Sequence, residues 1–308
     1  MSDILVIAGP TASGKSAVAL DLAREMDGEI INADAMQVYE DLRILTARPS
    51  KQDEAAVPHH LYGVSAGDDP WSAGRFARQA SEVIETVIRR GRFPIVVGGT
   101  GLWLRALTKG LSPIPAISPE VEAAAQARLE ALGMAGFRAE VLSVDPVMDR
   151  LEPNDRQRHL RAWMVHQATG RPLSVWQETP PQPVTNRSIT RIALVPPRDL
   201  SHDAVEQRFF RMLKSGALEE VEALITRNYS PSLPVMKSLG VPELAAYLQG
   251  HLTEGQAVER AVIATRQLVK RQTTWLNGQF SVWPRAATPK DLCTLARAQL
   301  ANRPPASA

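Results

Sequence analysis

Short, uninterrupted apolar runs alternate with amphipathic stretches through the first hundred residues. Runs at 4–8, 29–32 and 93–97 are rich in β-branched residues, which is typical of strands buried on both faces of a parallel sheet. Between them, apolar residues recur at helical spacing, most clearly over 72–88. The pattern predicts an α/β fold in which helices flank a parallel sheet.

The pattern changes after residue 110. Residues 111–115 read as a linker, 119–170 show helical periodicity with no strand candidate, and 179–183 are rich in proline. A strand pattern returns at 189–195, helical patterns follow up to about residue 277, and 302–308 read as a frayed tail. We therefore predict a helical insertion over 112–186 within a core formed by 1–111 and 187–308.

Composition bounds the class of protein. The 308 residues are 44% hydrophobic with a net charge of +2, which suits a folded protein and neither requires nor excludes a nucleic-acid partner. The single cysteine, Cys293, excludes a disulfide within the chain and a cysteine-rich zinc site, so we expect a reducing cytoplasm. We expect neither a signal peptide nor a membrane span, since no apolar run is long enough.

The sequence Gly-Pro-Thr-Ala-Ser-Gly-Lys-Ser stands between the first predicted strand and a predicted helix. This order is that of a phosphate-binding P-loop, in which main-chain N–H groups and the helix dipole surround an anion. Lys15 would add a mobile charge and the Ser16 hydroxyl would bind Mg²⁺. The alternative is a glycine-rich turn with a surface lysine. The predicted diphosphate site comprises Gly9, Pro10, Thr11, Ala12, Ser13, Gly14, Lys15 and Ser16.

Two further features follow neighbouring predicted strands and so belong to the same edge of the sheet. Asp34 could bind Mg²⁺, accept a proton from a substrate or cap a following helix, and position alone leaves these open. The Gly-Gly-Thr-Gly sequence at 98–101 is either a plain strand-to-helix turn or a place where the main chain closely approaches a ligand.

Adjacent histidines and basic helix faces offer weaker signals. His59 and His60 point to opposite sides of an extended segment, so a structural or substrate-positioning role is favoured over a shared metal ion. Arg158 and Arg161 share a helix face near other arginines. Such a face is usually only solvated, but this crowding favours contact with a phosphate backbone.

The motifs together indicate a family. They are GPTASGKS at 9–16, NADAMQVY at 32–39, VPHHL at 57–61, VGGTGL at 97–102, PNDRQR at 153–158 and TRQLVKRQTTW at 265–275. In this order they closely resemble the bacterial tRNA dimethylallyltransferases, also called isopentenylpyrophosphate tRNA transferases. The resemblance runs from residue 4 to about residue 277, and it implies a P-loop NTPase-like fold.

The resemblance implies that a dimethylallyl group moves from dimethylallyl diphosphate to N6 of the adenosine 3′ of the anticodon. The P-loop would then hold the diphosphate of the prenyl donor with Mg²⁺ on Ser16. Asp34 matches the carboxylate that holds N6 and takes its proton. Thr11 and Arg208 match positions near the diphosphate and the reacting centre, and Lys15 would stabilise the leaving group.

The same resemblance implies a tRNA partner, bound by a monomer through its anticodon stem-loop. Asp34 to Gln37 and Thr100 would receive the flipped base, the insertion would clasp the stem-loop, and residues near the carboxyl end would meet the RNA backbone. The implied RNA contacts are Asp34, Ala35, Met36, Gln37, Thr100, Gln157, Arg158, His159, Leu160, Arg161, Lys237, Lys270, Arg271, Gln272 and Trp275.

Two positions depart from the family pattern. Val241 and Pro242 stand where an aromatic and a cation are common, which puts an RNA contact there in doubt, and Trp103 replaces a usual tyrosine. Three other functions stay open: prenylation of free adenine nucleotides, a P-loop small-molecule kinase or NTPase, and a non-catalytic RNA-binding module.

Overall fold

A computed structural model describes residues 3–301 of the chain. The predicted frayed tail at 302–308 lies outside these residues. The chain forms two compact units, one of Met1–Thr108 with Val184–Ala308 and one of Lys109–Pro183. The second unit corresponds to the predicted insertion of 112–186, with each boundary three residues earlier in the chain.

The first unit is built on one six-stranded parallel sheet with the order β3-β2-β4-β1-β5-β6. This confirms the predicted α/β class. Ala8 at the end of β1 pairs with Gly98 at the end of β4, and Asn32 at the end of β2 pairs with Val97, so three strands finish at one edge. The strands are β1 (Ile4–Ala8), β2 (Gly28–Asn32), β3 (His59–His60), β4 (Phe93–Gly98), β5 (Ile189–Leu194) and β6 (Arg285–Ala286).

Twelve α-helices lie in the residues that the structure describes. The edge strand of the sheet, β6, comes directly after a turn in which Trp283 is buried and stacks on Phe280 at 4.0 Å between ring centroids. The helices are α1 (Lys15–Glu25), α2 (Lys51–Ala56), α3 (Ala73–Arg89), α4 (Gly101–Lys109), α5 (Pro119–Val144), α6 (Arg156–Thr169), α7 (Leu173–Glu178), α8 (Arg198–Lys214), α9 (Ala217–Thr226), α10 (Val241–Leu248), α11 (Glu254–Gln279) and α12 (Pro289–Ala301).

A hydrophobic core covers each face of the sheet, as the period-two alternation of a strand requires. Ile4 and Val6 of β1 face a core shared with α3, α8, α10 and α11. Leu5 and Ile7 face the opposite core, shared with α1 and α12. Since β1 is completely buried on both faces, the loop that leaves it starts from a fixed position in the sheet.

The second unit has its own small core and no strand of the named sheet. Phe137 and Val141 of α5 pack with Leu160 and Val165 of α6. Gly133 takes a φ of +63° and interrupts the helical conformation within α5. The region is helical, as predicted.

None of the helices within residues 3–301 is both long and apolar enough to cross a membrane.

Candidate active site

The P-loop leaves β1 and enters α1 through two left-handed residues. Ala12 has a φ of +61° and Gly14 a φ of +90°, and no side chain caps the first turn of α1. Uncapped N–H groups at a helix start are available to an anion. The Ser13 hydroxyl is buried without a hydrogen-bond partner among the described residues, so Ser13 reaches the cavity through its main chain.

Gly9 and Pro10 are buried and hold the loop in place. The Gly9 N–H donates to the Gly98 carbonyl at 3.3 Å, and a side chain on Gly9 would come within 2.7 Å of the Leu194 carbonyl oxygen. The Pro10 carbonyl accepts a hydrogen bond from the Lys15 ammonium at 3.1 Å. These two residues therefore hold the main chain of the predicted diphosphate site in position.

Lys15 carries the clearest electrostatic signature of the site. Desolvation lowers the pKa of its ammonium group from 10.5 to about 8, with the Asp34 carboxylate opposing and Arg208 adding to the shift. Burial disfavours the charged form of the ammonium group, and a bound anion would stabilise that form. Ser16, the next residue, is exposed at the first turn of α1.

Asp34 is fixed in a turn immediately after β2. Its N–H donates to the Asn32 side-chain oxygen at 2.7 Å, and its Oδ1 accepts from the Met36 N–H at 3.1 Å. Residues 35–38 form turns and the next helix begins at Lys51, so Asp34 caps no helix. The helix-cap alternative is thereby removed, and the carboxylate lines the same cavity as Lys15.

Arg208 reaches this cavity from α8. Its Nη1 donates to the Thr11 hydroxyl at 3.0 Å, which joins α8 to the P-loop. Burial lowers the pKa of Arg208, while the nearby Asp34 carboxylate opposes the shift. The structure thus brings Thr11, Lys15, Asp34 and Arg208 together, although they are up to 197 residues apart along the chain.

The cavity has a cationic part and an apolar part. The cationic part has a volume of about 620 Å³ and includes three arginines that the sequence analysis missed, Arg43, Arg48 and Arg211. Arg211 lies three residues after Arg208 on α8, a spacing that could have indicated it, whereas Arg48 follows a turn in irregular structure with no such signal. The adjoining apolar part is lined by Met36, Leu45, Val205, Phe209, Met212, Leu239 and Leu268.

The glycines at 98–101 serve packing within the protein. A side chain on Gly98 would overlap the Ala33 main chain, one on Gly99 would meet Gln272, and one on Gly101 would overlap the Trp275 ring. Of the two alternatives for these glycines, the contacts favour the plain strand-to-helix turn. Thr100 lies between them, and its hydroxyl accepts from the Ala35 N–H at 2.9 Å.

Gln272 and Trp275, both predicted to contact RNA, are half-buried, and Trp275 lines an open surface cavity with Lys270 and Arg271. Gln272 accepts from the Thr11 N–H at 2.8 Å and donates to the Gly99 carbonyl at 3.0 Å. Trp275 meets Phe280 edge to face at 4.8 Å between centroids. Of the other predicted contacts of the first unit, Lys237, Lys270 and Arg271 are exposed, whereas Thr100 and residues 34–37 are half-buried.

In the second unit, the predicted RNA contacts divide by burial. Gln157 and Arg158 are exposed, and Arg158 pairs with Asp155 at 3.0 Å. His159 is completely buried and Leu160 is 7% exposed, so their side chains face the core and the structure does not bring them to the surface. Arg161 is half-buried, and burial lowers its pKa.

The histidine pair has structural partners, as predicted. His60 Nε2 lies 2.6 Å from the buried Glu29 carboxylate, and His59 Nδ1 lies 2.7 Å from the Val57 carbonyl. No group of three or more His, Cys, Asp or Glu side chains arranged to hold a metal occurs within residues 3–301. Val241, one of the unusual positions, is buried at the start of α10 with 1% exposure.

The predicted Mg²⁺ fits a site with few protein ligands. The Ser16 hydroxyl, the predicted protein ligand, is an oxygen donor, and Ser16 is exposed and lines the cavity. Mg²⁺ is commonly held by one or two such groups together with substrate phosphates and water. The donor set therefore fits an ion that arrives with a diphosphate.

Comparisons with known proteins agree on one family. The model of the family described as IPP transferase matches residues 37–279, and that of isopentenyl transferase matches 2–59. A tRNA dimethylallyltransferase of Phenylobacterium zucineum is 50% identical, covering 92% of each chain, and one of Parvibaculum lavamentivorans is 47% identical, covering 92% of this chain and 90% of the relative.

Solved structures give the same result. A tRNA isopentenylpyrophosphate transferase of Staphylococcus epidermidis is 28% identical with a TM-score of 0.69, covering 98% of this chain and 99% of that chain. A eukaryotic dimethylallyltransferase acting on tRNA is 25% identical with a TM-score of 0.81, covering 100% of this chain and 81% of that chain.

Proposed function

The chain belongs to the IPP transferase family, and from this premise we propose that it transfers a dimethylallyl group from dimethylallyl diphosphate to tRNA. The acceptor is N6 of the adenosine 3′ of the anticodon, and diphosphate is released. One observation carries the proposal: the Asp34 carboxylate lines the same cavity as Lys15, Arg208 and the P-loop, and an apolar region adjoins them.

The P-loop end of the cavity suits the departing diphosphate. An allylic carbon can bear positive charge, so the main barrier is the negative charge that builds up on the leaving oxygens. Lys15, Arg208 and the uncapped N–H groups of α1 are preorganised to stabilise that charge. Removal of one such donor typically costs about 3–4 kcal/mol in the barrier.

The apolar region suits the five-carbon chain. Its side chains, which include Met36, Phe209 and Met212, lie next to Thr11, Asp34 and Arg208, which line both regions. A prenyl chain placed there would leave water, and its reactive carbon would lie between the cations and the carboxylate. Exclusion of water also protects a carbon with cationic character from hydrolysis.

Asp34 is the group that accepts the proton. As the bond between N6 and the allylic carbon forms, the bond between that carbon and the diphosphate oxygen breaks, and N6 loses one proton to the Asp34 carboxylate. The Met36 N–H holds Oδ1, which fixes the orientation of the carboxylate. Mg²⁺, held by Ser16 and diphosphate oxygens, would further neutralise the leaving group.

The adenine must leave its stack to reach this cavity. Exposed cations offer contacts to the RNA backbone: Lys237, Lys270 and Arg271 in the first unit, and Arg158 in the second, next to the exposed Gln157. The half-buried Arg161 and the main chain of Ala35 to Gln37 complete the proposed set. Because the proposed catalytic side chains all belong to one chain, we propose a monomer, and the single cysteine supports the proposal that it acts in the cytoplasm.

The experiment is a comparison of acceptors with labelled dimethylallyl diphosphate and Mg²⁺. We expect label in N6-modified adenosine from unmodified tRNA and from an anticodon stem-loop, and none in AMP. Transfer to AMP at a similar rate would favour a free-nucleotide prenyltransferase. Rapid ATP hydrolysis without prenyl transfer would favour a kinase or NTPase, and full activity of a Lys15→Ala variant in cells would favour a non-catalytic RNA-binding protein.

A further inference from the structure

A single glutamine connects the P-loop, the glycine-rich turn after β4 and helix α11. The Gln272 side chain accepts a hydrogen bond from the Thr11 N–H at 2.8 Å and donates one to the Gly99 carbonyl at 3.0 Å. Thr11 follows β1 and Gly99 follows β4, so the amide spans the ends of two neighbouring strands. Both polar ends of the amide are therefore satisfied by main-chain atoms of the site edge.

The position of Thr11 matters because of what its hydroxyl holds. Thr11 Oγ1 accepts a hydrogen bond from Arg208 Nη1 at 3.0 Å. Arg208 and Thr11 line both parts of the cavity, beside Asp34. A shift of the Thr11 main chain would therefore move the contact that aims the Arg208 guanidinium at the proposed leaving group.

The glycine at 99 shows that this connection is built into the sequence. A Cβ on Gly99 would come within 2.5 Å of Gln272 Nε2. The turn therefore accommodates the amide only because residue 99 has no side chain. One turn further along α11, the Trp275 ring occupies the space that a side chain on Gly101 would need. Gln272 and Trp275 together seat α11 on residues 99–101.

We propose that Gln272 is a positioning residue for prenyl transfer. It fixes the Thr11 main chain, keeps the Thr11 hydroxyl on Arg208, and does so from a helix whose exposed side carries Lys270 and Arg271. The inference rests on the proposed function. It assigns Gln272 a role in the rate of the chemical step, in place of the RNA contact that the sequence suggests.

The test compares Gln272→Met, which retains the length and loses both hydrogen bonds, with wild-type enzyme. We expect kcat for prenyl transfer to fall about 10- to 100-fold, because a misplaced cation loses part of its stabilisation of the leaving group. The Kd for tRNA changes less than about threefold, since both polar atoms of the Gln272 amide are bonded to main-chain atoms of the protein. Gln79→Met, at an exposed position on α3, is the matched control and leaves kcat unchanged.

A second variant gives a readout that a purely structural role would not move. In Gln272→Glu, an ionised carboxylate accepts from Thr11 but faces the Gly99 carbonyl without a proton. A protonated carboxyl both accepts and donates, as the amide does. We therefore expect the kcat of this variant, divided by the wild-type kcat at the same pH, to rise as pH is lowered from about 8 to about 6.

Each outcome is decisive. A folded Gln272→Met enzyme with wild-type kcat, or one with a weakened tRNA Kd and unchanged kcat, would overturn the proposal. If that variant does not fold, the pH series of Gln272→Glu decides, and a constant ratio to wild type would overturn the proposal. A wild-type enzyme that transfers no prenyl group to tRNA would instead refute the proposed function, so the two failures are distinguishable.

Discussion

Lys15 shows how one side chain can be tuned by its surroundings. Desolvation lowers its pKa to about 8, and the neighbouring Asp34 carboxylate prevents a larger shift. A lysine in this condition is partly neutral at slightly alkaline pH. Binding of a diphosphate favours the charged form, so the ligand and a proton bind together.

The pH dependence of donor binding follows from this pKa. Because the charged form binds the anion and the fraction of that form falls above pH 8, we expect the Kd of dimethylallyl diphosphate to weaken about tenfold per pH unit above that value. Calorimetric titration between about pH 7 and pH 9.5 measures the slope. Lys15→Met is the control, which binds more weakly and lacks the slope. A wild-type affinity that is constant over this range would contradict the assignment.

The residues proposed for the chemistry of the site were easier to predict from sequence than the burial and contacts of the residues around them. The P-loop and Asp34 follow strand patterns, and parallel strands place such residues at one edge. His159 and Leu160 were assigned to RNA from a motif, yet they are buried, because a motif does not tell which of its residues face the core. Arg48 was missed because a residue in irregular structure shows no periodicity.

At the scale of elements, the turn at 98–101 shows that sequence patterns do not reveal which helix packs on a loop. Three glycines near a strand end resemble a ligand-binding turn, and only tertiary structure shows that Ala33, Gln272 and Trp275 occupy the space their side chains would need. The two-residue strand β6 is a similar case, since a segment that short has no alternation to detect. Long, fully apolar strands such as β1 were predictable.

The packing of α11 on the turn at 98–101 leads to a prediction about the stability of the fold. In Gly101→Ala the added methyl group overlaps the Trp275 ring, so we expect the free energy of unfolding to fall by about 1–3 kcal/mol. Gly278→Ala, on α11 itself and exposed with no neighbour within 4 Å, should instead raise the free energy of unfolding by about 0.5–1 kcal/mol. Urea unfolding of both variants measures the difference, and equal effects would contradict the packing role.

At the scale of the whole molecule, the boundary between the two units was predictable from sequence, whereas the exposure of the residues proposed to contact RNA was not. The boundary at Lys109 and Pro183 lies close to the predicted one, because linkers rich in proline and a loss of strand patterns are visible in sequence. Burial inside the second unit was not predictable from a cationic face. It leaves Gln157 and Arg158 as exposed candidates there.

Salt dependence of tRNA binding tests the proposed RNA surface of the first unit. If Lys270 and Arg271 each neutralise a phosphate, their replacement by alanine should reduce the slope of log Kd against log salt by about 0.7–0.9 per residue. The control is Arg78→Ala, at an exposed position of α3. Filter binding at several salt concentrations gives the slopes. A slope that is the same in all three variants and wild type would exclude a phosphate contact.

The most direct test concerns Asp34, whose carboxylate lines the same cavity as Lys15. Asp34→Asn keeps the oxygen that accepts from the Met36 N–H, so the turn is retained while the base is lost. We predict that single-turnover transfer of labelled dimethylallyl to bound tRNA slows by about 10²- to 10⁴-fold, with the affinities for donor and tRNA changed little. Transfer by Asp34→Asn at the wild-type rate would contradict the account.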